Sequence, residues 1–190
     1  STQRIVISGF GCCTPLGDSY AAIEGALRDG RSGVRKIAKY NTDRFKSRFA
    51  GIPALGNFLI EGERQQFSHD EFYTRAAMDN LLASIHLDPA VIGEHRIGCF
   101  LGVDEPVVDI QQTVNLAYDL NKVDGQFSNL DSALERHFRV QDFIRYDPTN
   151  ALRTIHKFVA FKGPASVHLG LCSASLQAIG AGFQAVRQGR

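Results

Sequence analysis

The chain has 190 residues, 44% of them hydrophobic, so it is long enough to form one domain with a buried core. Its 21 basic and 20 acidic side chains give a formal net charge of +1, which argues against a nucleic-acid-binding protein. No apolar leader and no long apolar span are recognised, so we expect neither secretion nor membrane insertion. A cytoplasmic protein is the simplest interpretation.

Two short blocks are locally basic despite the balanced total. They are RSGVRK at residues 31–36 and RFKSR at residues 44–48. Most such blocks are solvated surface, and a minority form a dock for an acidic partner. The sequence leaves both interpretations open.

Four cysteines are present: Cys12, Cys13, Cys99 and Cys172. None of them has the spacing of a metal-binding hook, so no metal site is expected, and no motif indicates a cofactor. Cys12, Cys13 and Cys99 lie in apolar contexts that favour small core or loop residues. Cys172 differs from them, because it stands at the end of a predicted strand.

The first third of the chain predicts one strand and one helix. Residues 4–10 (RIVISGF) form a β-branched run between glycines, which predicts a buried strand. Asp18 or Ser19 can cap the helix that follows, and Gly30 can end it. Residues 31–63 show no clear period and are interpreted as surface excursions.

The remainder alternates helices with strands. The predicted elements are a helix at 70–87, a strand at 96–103, a helix at 107–123, a turn at 125–129, a helix begun by a Ser132–Glu135 capping box and ended by 146–148, a helix at 150–161, a strand at 165–171 and a final helix. Such alternation implies an α/β layered fold in which helices cover a largely buried sheet.

Cys172 stands where the last predicted strand stops and the last helix starts. The helix carries Leu176, Ile179, Phe183 and Val186 at spacings of three and four, while Gly180 and Gly182 inside it predict a close approach to another element. A strand–turn–helix presents a side chain to substrate, and the N–H groups of a helix N-terminus favour a thiolate and a developing oxyanion. Cys172 is therefore the candidate reactive residue, although an ordinary cysteine is more often a small buried hydrophobe.

Two nucleophile architectures compete for this turn. The run from Gly170 to Ala174 half fits the G-x-nucleophile-x-G elbow of α/β hydrolases. That elbow needs a downstream acid and histidine, and none of the 18 residues after Cys172 is His, Asp or Glu. A hydrolase is therefore not complete within these residues, and the competing architecture is that of a condensing enzyme.

Three stretches carry a pattern that occurs together in one family. They are residues 4–45, with TPLG at 14–17 and GRSG at 30–33; the strand RIGCFLGV at 96–103; and Gly163-Pro164 ahead of Cys172, which begins CSASLQAIG. Together they resemble the N-terminal half of the β-ketoacyl synthases of fatty-acid and polyketide synthesis. The resemblance covers nearly the whole chain and implies a thiolase-like layered fold, with residues 1–190 as the N-terminal domain and a mixed sheet covered by helices.

The resemblance also implies a chemistry. Cys172 would take an acyl group from an acyl carrier protein or coenzyme A, with its backbone N–H as an oxyanion donor, and a malonyl-type thioester would then condense with it. The family is dimeric, so a homodimer is expected. Two family histidines that assist decarboxylation belong to motifs that none of the chain's six histidines matches: His69, His86, His95, His137, His156 and His168.

Two departures from the family keep alternatives open. Gly170-Leu171 stand where the family usually has Thr-Ala, and residues 102–106 read GVDEP where a glycine-rich turn is common. One alternative is a non-condensing partner subunit of a synthase heterodimer. Another is a thiolase-superfamily enzyme that acts on acyl-coenzyme A without a carrier protein.

Overall fold

A computed structural model describes residues 4–38, 41–53, 69–104, 110–121 and 130–190. The helices in this part of the chain are α1 (Tyr20–Arg28), α2 (His69–Ser84), α3 (Pro89–Ile92), α4 (Ile110–Asn121), α5 (Leu130–His137), α6 (Val140–Arg145), α7 (Asn150–Phe158) and α8 (Ala174–Arg187). The strands are β1 (Val34–Lys36), β2 (Phe49–Gly51), β3 (Cys99–Val103) and β4 (Ala165–Leu169). In the described ranges, no helix is long and apolar enough to cross a membrane.

The parallel pair β3–β4 is the centre of the fold. Cys99 lies opposite Ala165 and Val103 opposite Leu169, with α4 to α7 in the connection between the strands. One face of the pair carries Gly102 and packs against α8, while Cys99 and Val103 are buried on the other face, where α7 approaches β3. The predicted α/β layering is confirmed.

Helix α8 buries its small residues rather than its large ones. Ala174 and Ala178 are buried, whereas Leu176 is 72% exposed and Ile179 and Phe183 are also exposed. A helix that lies close to a sheet needs small side chains at the contact, so the alanine stripe faces β3 and the predicted apolar face points outward. This face is not part of the core formed by the described residues.

The two helix glycines differ from each other. A Cβ on Gly182 would lie 3.4 Å from the ring of Phe100, so this glycine does sit against β3. A Cβ on Gly180 would meet nothing within 4 Å. The expectation of a close approach is therefore correct for Gly182 and wrong for Gly180.

Helix α1 follows the predicted signals closely. The Ser19 hydroxyl accepts a hydrogen bond from the Ala22 N–H at 3.3 Å, as an N-cap should. Gly30, just past the end of the helix, has a φ of 64°, which glycine adopts without steric cost. Of the two proposed caps, Ser19 is the one used.

The strand predicted at residues 4–10 is absent. This segment has no strand pairing, and Val6 and Ile7 are 69% and 91% exposed. Gly9 and Gly11 instead lie directly against Leu81 of α2, leaving no room for a Cβ on Gly11. A β-branched run becomes a strand only when a neighbour takes up its backbone hydrogen bonds, and the described residues supply none.

A small antiparallel hairpin was missed in the region interpreted as surface excursions. Strands β1 and β2 pair with Arg35 opposite Ala50 and Lys36 opposite Phe49. Strands of three residues are too short to show an alternating pattern. Gly33 holds the hairpin against the first loop, where a Cβ would lie 2.7 Å from Pro15.

Several predicted boundaries shift in the second half. Strand β3 begins at Cys99 because residues Glu94–Arg96 form a 3-10 turn. The Ser132 capping box is wrong, because α5 already starts at Leu130 and Ser132 lies inside it. The chain also breaks between α5 and α6, which was not predicted. The Asp142 carboxylate caps the start of α6 by accepting a hydrogen bond from the Arg139 N–H at 2.9 Å. The turn at 125–129 lies outside the described residues.

The remaining helices end earlier than predicted. Helix α2 stops at Ser84 rather than at residue 87, and α7 stops at Phe158 rather than at residue 161. Helix α6 ends at Arg145, just ahead of the predicted breaker at 146–148. The carboxylate of Asp119 on α4 lies 2.8 Å from the His137 ring on α5, which joins two helices across the undescribed stretch.

The contact between β3 and α8 gives a matched pair of substitutions. A Cβ on Gly102 would overlap the backbone of Ala174 and Ser175, so Gly102→Ala should lower the free energy of unfolding by about 1–3 kcal/mol. Gly180→Ala, in open space within the same helix layer, should raise it by about 0.5–1 kcal/mol. Urea denaturation of both variants measures these effects. Equal effects of the two would contradict the packing described here.

Candidate active site

Cys172 lies in a tight turn between β4 and α8. The strand ends at Leu169, Gly170 is extended, residues Leu171–Ser173 form one 3-10 turn, and α8 starts at Ala174. The Cys172 side chain is exposed. The predicted strand–turn–helix is therefore present, and the turn directs its cysteine towards solvent.

Leu171 holds an unusual backbone conformation. Its φ is 46°, the only positive φ of a non-glycine residue in the described ranges. The left-handed region costs an L-residue with a Cβ roughly 1–2 kcal/mol, and such strain persists only where the surroundings over-determine it. The side chain is 59% exposed, so burial offsets little of this cost. The strain lies immediately before the candidate nucleophile.

A short hydrogen-bond network holds the turn. The Ser173 backbone N–H and hydroxyl both donate to the Gly170 carbonyl at 3.0 Å. The Gln177 side-chain amide donates to the Ser173 hydroxyl at 2.8 Å. A Cβ on Gly170 would lie 3.0 Å from that amide nitrogen, so the network and a side chain at this position compete for the same space.

Sequence reasoning missed the roles of Ser173 and Gln177. They are four residues apart, the spacing at which side chains on one helix face meet, and this signal could have paired them. Their contacts fix the turn from the α8 side.

The N-terminus of α8 gives the turn its electrostatic character. The N–H groups of a helix's first turn lack partners within the helix and carry the positive end of its dipole. The Cys172 N–H donates to no acceptor among the described residues, so it is available to an external oxygen. An oxyanion that forms at this turn would be stabilised.

The other three cysteines are poorly suited to reaction. Burial raises the pKa of the Cys99 thiol to about 11. Burial also raises the pKa of Cys12 and of Cys13, and the negative charge of Asp18 adds to both shifts. Cys12 and Cys99 are buried and Cys13 is partly so, which confirms their interpretation as core or loop residues.

Three of the described histidines have partners other than Cys172. The His168 ring lies 2.9 Å from the Ser166 hydroxyl on the same strand, and His156 packs edge-on against Phe161. His137 pairs with Asp119. No hydrogen bond joins a histidine to Cys172 within the described residues. In the same ranges, no three His, Cys, Asp or Glu side chains cluster closely enough to hold a metal ion.

The fold and this turn together define an α/β protein that carries a thiol at a strand-to-helix junction. Residues 2–190 match the family described as beta-ketoacyl synthase, N-terminal domain, and the chain belongs to that family. The expected family is confirmed.

Relatives and solved structures agree with the assignment. The chain is 28% identical to the tetracenomycin polyketide synthase ketoacyl synthase alpha subunit of Streptomyces glaucescens, over 99% of this chain and 43% of that protein. It resembles the solved ishigamide ketosynthase/chain length factor with a TM-score of 0.67 at 18% identity, over 100% of this chain and 45% of that one. It resembles the type II ketosynthase AntDE, solved in complex with its acyl-carrier protein AntF, with a TM-score of 0.65 at 20% identity, over 100% of this chain and 43% of that one. The fold is thiolase-like, and the chain spans less than half the length of these proteins.

The strain at Leu171 can be measured with two substitutions. Leu171→Gly removes the steric conflict of a positive φ, whereas Leu171→Ala keeps a Cβ and shortens the side chain. The glycine variant should be more stable than the alanine variant by about 1 kcal/mol. At an ordinary exposed position with negative φ, glycine would be the less stable of the two. Chemical denaturation of both variants decides between these outcomes.

The exposure of Cys172 predicts selective alkylation. Alkylation proceeds through the thiolate. At about pH 8 the buried Cys99 stays protonated, because this pH is well below its pKa of about 11. Iodoacetamide should therefore modify Cys172 roughly tenfold or more faster than Cys99, as followed by peptide mass spectrometry. Cys172→Ser should abolish this fast modification and leave the slow modification of Cys99 unchanged. Faster labelling of Cys99 than of Cys172 would contradict the description of this turn.

Proposed function

We propose that the protein is an acyltransferase of the β-ketoacyl synthase type, with Cys172 as its nucleophile. The observation that carries the proposal is the exposed Cys172 at the N-terminus of α8, in a chain that belongs to this family. The substrates are acyl thioesters of an acyl carrier protein or of coenzyme A. The carrier protein is supported by the solved complex of a related ketosynthase with its acyl-carrier protein.

The first half-reaction transfers the acyl group to the enzyme. The Cys172 thiolate attacks the thioester carbonyl, and the oxyanion that forms accepts a hydrogen bond from the Cys172 N–H. The intermediate collapses as the bond to the carrier sulfur breaks. The carrier leaves as a thiolate that takes up a proton, and the acyl group remains on Cys172 as a thioester.

The second half-reaction makes the carbon–carbon bond. A malonyl-type thioester loses CO₂, and its enolate carbon attacks the carbonyl of the acyl-enzyme. The Cys172 thiolate is then released, and a β-ketoacyl thioester is formed. The groups that assist decarboxylation are proposed to lie outside residues 1–190, since no described histidine contacts Cys172 by a hydrogen bond.

The protein is further proposed to be a cytoplasmic homodimer. The outward face of α8 carries Leu176, Ile179, Phe183 and Val186, all exposed in this chain. Apolar side chains at this density favour burial against further protein, whether more of the same polypeptide or a second subunit. The mass of the full-length protein in solution tests the dimer.

A second candidate is a non-condensing partner subunit. Leu171 favours it, because a bulky, strained residue stands beside the thiol where the family has a small one. Cys172 itself opposes it, since such partners commonly lack the cysteine. A solved relative is described as a ketosynthase/chain length factor pair, so both kinds of subunit occur among proteins of this fold.

Mass spectrometry of the full-length protein tests the nucleophile. Incubation with an acyl-thioester donor should add one acyl group to Cys172, because this thiol is exposed at a helix N-terminus. Cys172→Ala should abolish the adduct, and Cys99→Ala should keep it. An adduct that survives in Cys172→Ala would refute the assignment.

A condensation assay of the full-length protein distinguishes the synthase from the non-condensing partner subunit. Supplied with a malonyl-type thioester and no other synthase, it should form a β-ketoacyl product. An acylated Cys172 without any product would favour the partner subunit.

A further inference from the structure

The positive charge of the chain is concentrated in one short stretch. Residues 31–51 contain seven of the 21 basic side chains and, in Asp43, one of the 20 acidic ones. The stretch therefore carries +6 in a chain whose total is +1, so the other 169 residues carry −5. The balanced composition hides a strong local asymmetry.

The fold brings the two basic blocks together. Strands β1 and β2 pair antiparallel, which sets Lys36 of the first block directly opposite Phe49 beside the second. The Ile37 N–H donates to the Arg48 carbonyl at 2.9 Å and extends the pairing. We call residues 31–38 and 41–51 the basic hairpin.

Most of this charge is not neutralised locally. Arg31 lies 3.3 Å from Asp29 and Arg48 lies 3.8 Å from Asp43, and both pairs are exposed, so each is worth little. Four other cations are exposed with no ion-pair partner among the described residues: Arg35, Lys36, Arg44 and Lys46.

Large apolar side chains stand among these cations. Phe45 and Phe49 are 58% and 59% exposed, and Val34 is exposed in β1. Arginine and aromatic residues are enriched at protein interfaces, where a few desolvated aromatics carry much of the binding energy. Charge and exposed apolar surface therefore coincide on one small element.

We propose that the basic hairpin docks a protein partner whose surface carries acidic groups around an apolar centre. A long polyanion such as a nucleic acid fits less well, because the chain outside the hairpin is net negative and would repel its continuation. A compact acidic surface matches the size of the patch. The inference does not depend on the acyl transfer proposed for Cys172.

The test measures binding of defined probes to the full-length protein by fluorescence anisotropy. The first probe is a labelled peptide with Glu and Leu at helical spacing, and the second replaces each Glu with Gln. The Glu peptide should bind with salt-dependent affinity, and the Gln peptide should bind at least tenfold more weakly. A single-stranded oligonucleotide of equal charge is the third probe.

Variants locate the binding surface. Arg35→Glu with Lys46→Glu should weaken binding of the Glu peptide by about tenfold or more, and Phe49→Ser should weaken it without changing the charge. The matched control, Lys157→Glu with Arg187→Glu, makes the same change of charge at exposed positions on α7 and α8 and should leave binding unchanged. Unchanged urea midpoints show that the variants remain folded.

Three results would overturn the inference. They are failure of the Glu peptide to bind, equal losses in the hairpin and control variants, and tighter binding of the oligonucleotide than of the peptide through the hairpin.

Discussion

The close approach of α8 to β3 is the constraint on which the rest of the described structure depends. Gly102 leaves space for the backbone of Ala174, so the first turn of α8 lies directly on the sheet. Since β4 pairs with β3 in parallel, the end of β4 and the start of α8 are brought to the same edge. The chain between them has only Gly170 to Ser173 in which to reverse. Cys172 is thereby held in a short segment where its side chain is exposed.

The sequence predicts this junction well and its surroundings less well. Helix α1 and the turn at Cys172 follow from local signals, such as the Ser19 cap and an abrupt change of pattern, which act within a few residues. The strand predicted at residues 4–10 does not form, because a strand depends on a partner elsewhere in the chain. The buried face of α8 was not predicted, because the period alone does not distinguish a stripe of large apolar residues from a stripe of small ones. The contact distance to β3 selects the alanines, and that distance is a property of the tertiary structure.

The electrostatics illustrate the same difference between composition and arrangement. A net charge of +1 averages the positive hairpin with a negative remainder. The two basic blocks were visible in the sequence, but their proximity was not, because it depends on pairing between strands of three residues. Phe49 gains its significance only when it is seen opposite Lys36. A local excess of charge becomes an interaction surface through its neighbours, and these are set by the fold.

The turn at Cys172 concentrates its energetic cost in its backbone. Leu171 occupies a left-handed conformation that its side chain disfavours, and the exposed side chain recovers little by burial. The conformation persists because neighbours on both sides determine it. The pairing of β4 with β3 holds the backbone before Leu171. The hydrogen bonds from Gln177 to Ser173 and from Ser173 to Gly170 hold the backbone after it. A turn that relaxed at Leu171 would rotate the Cys172 N–H and side chain away from the N-terminus of α8. The strain is thus the local cost of holding a thiol and an N–H without an intramolecular acceptor at the same helix end.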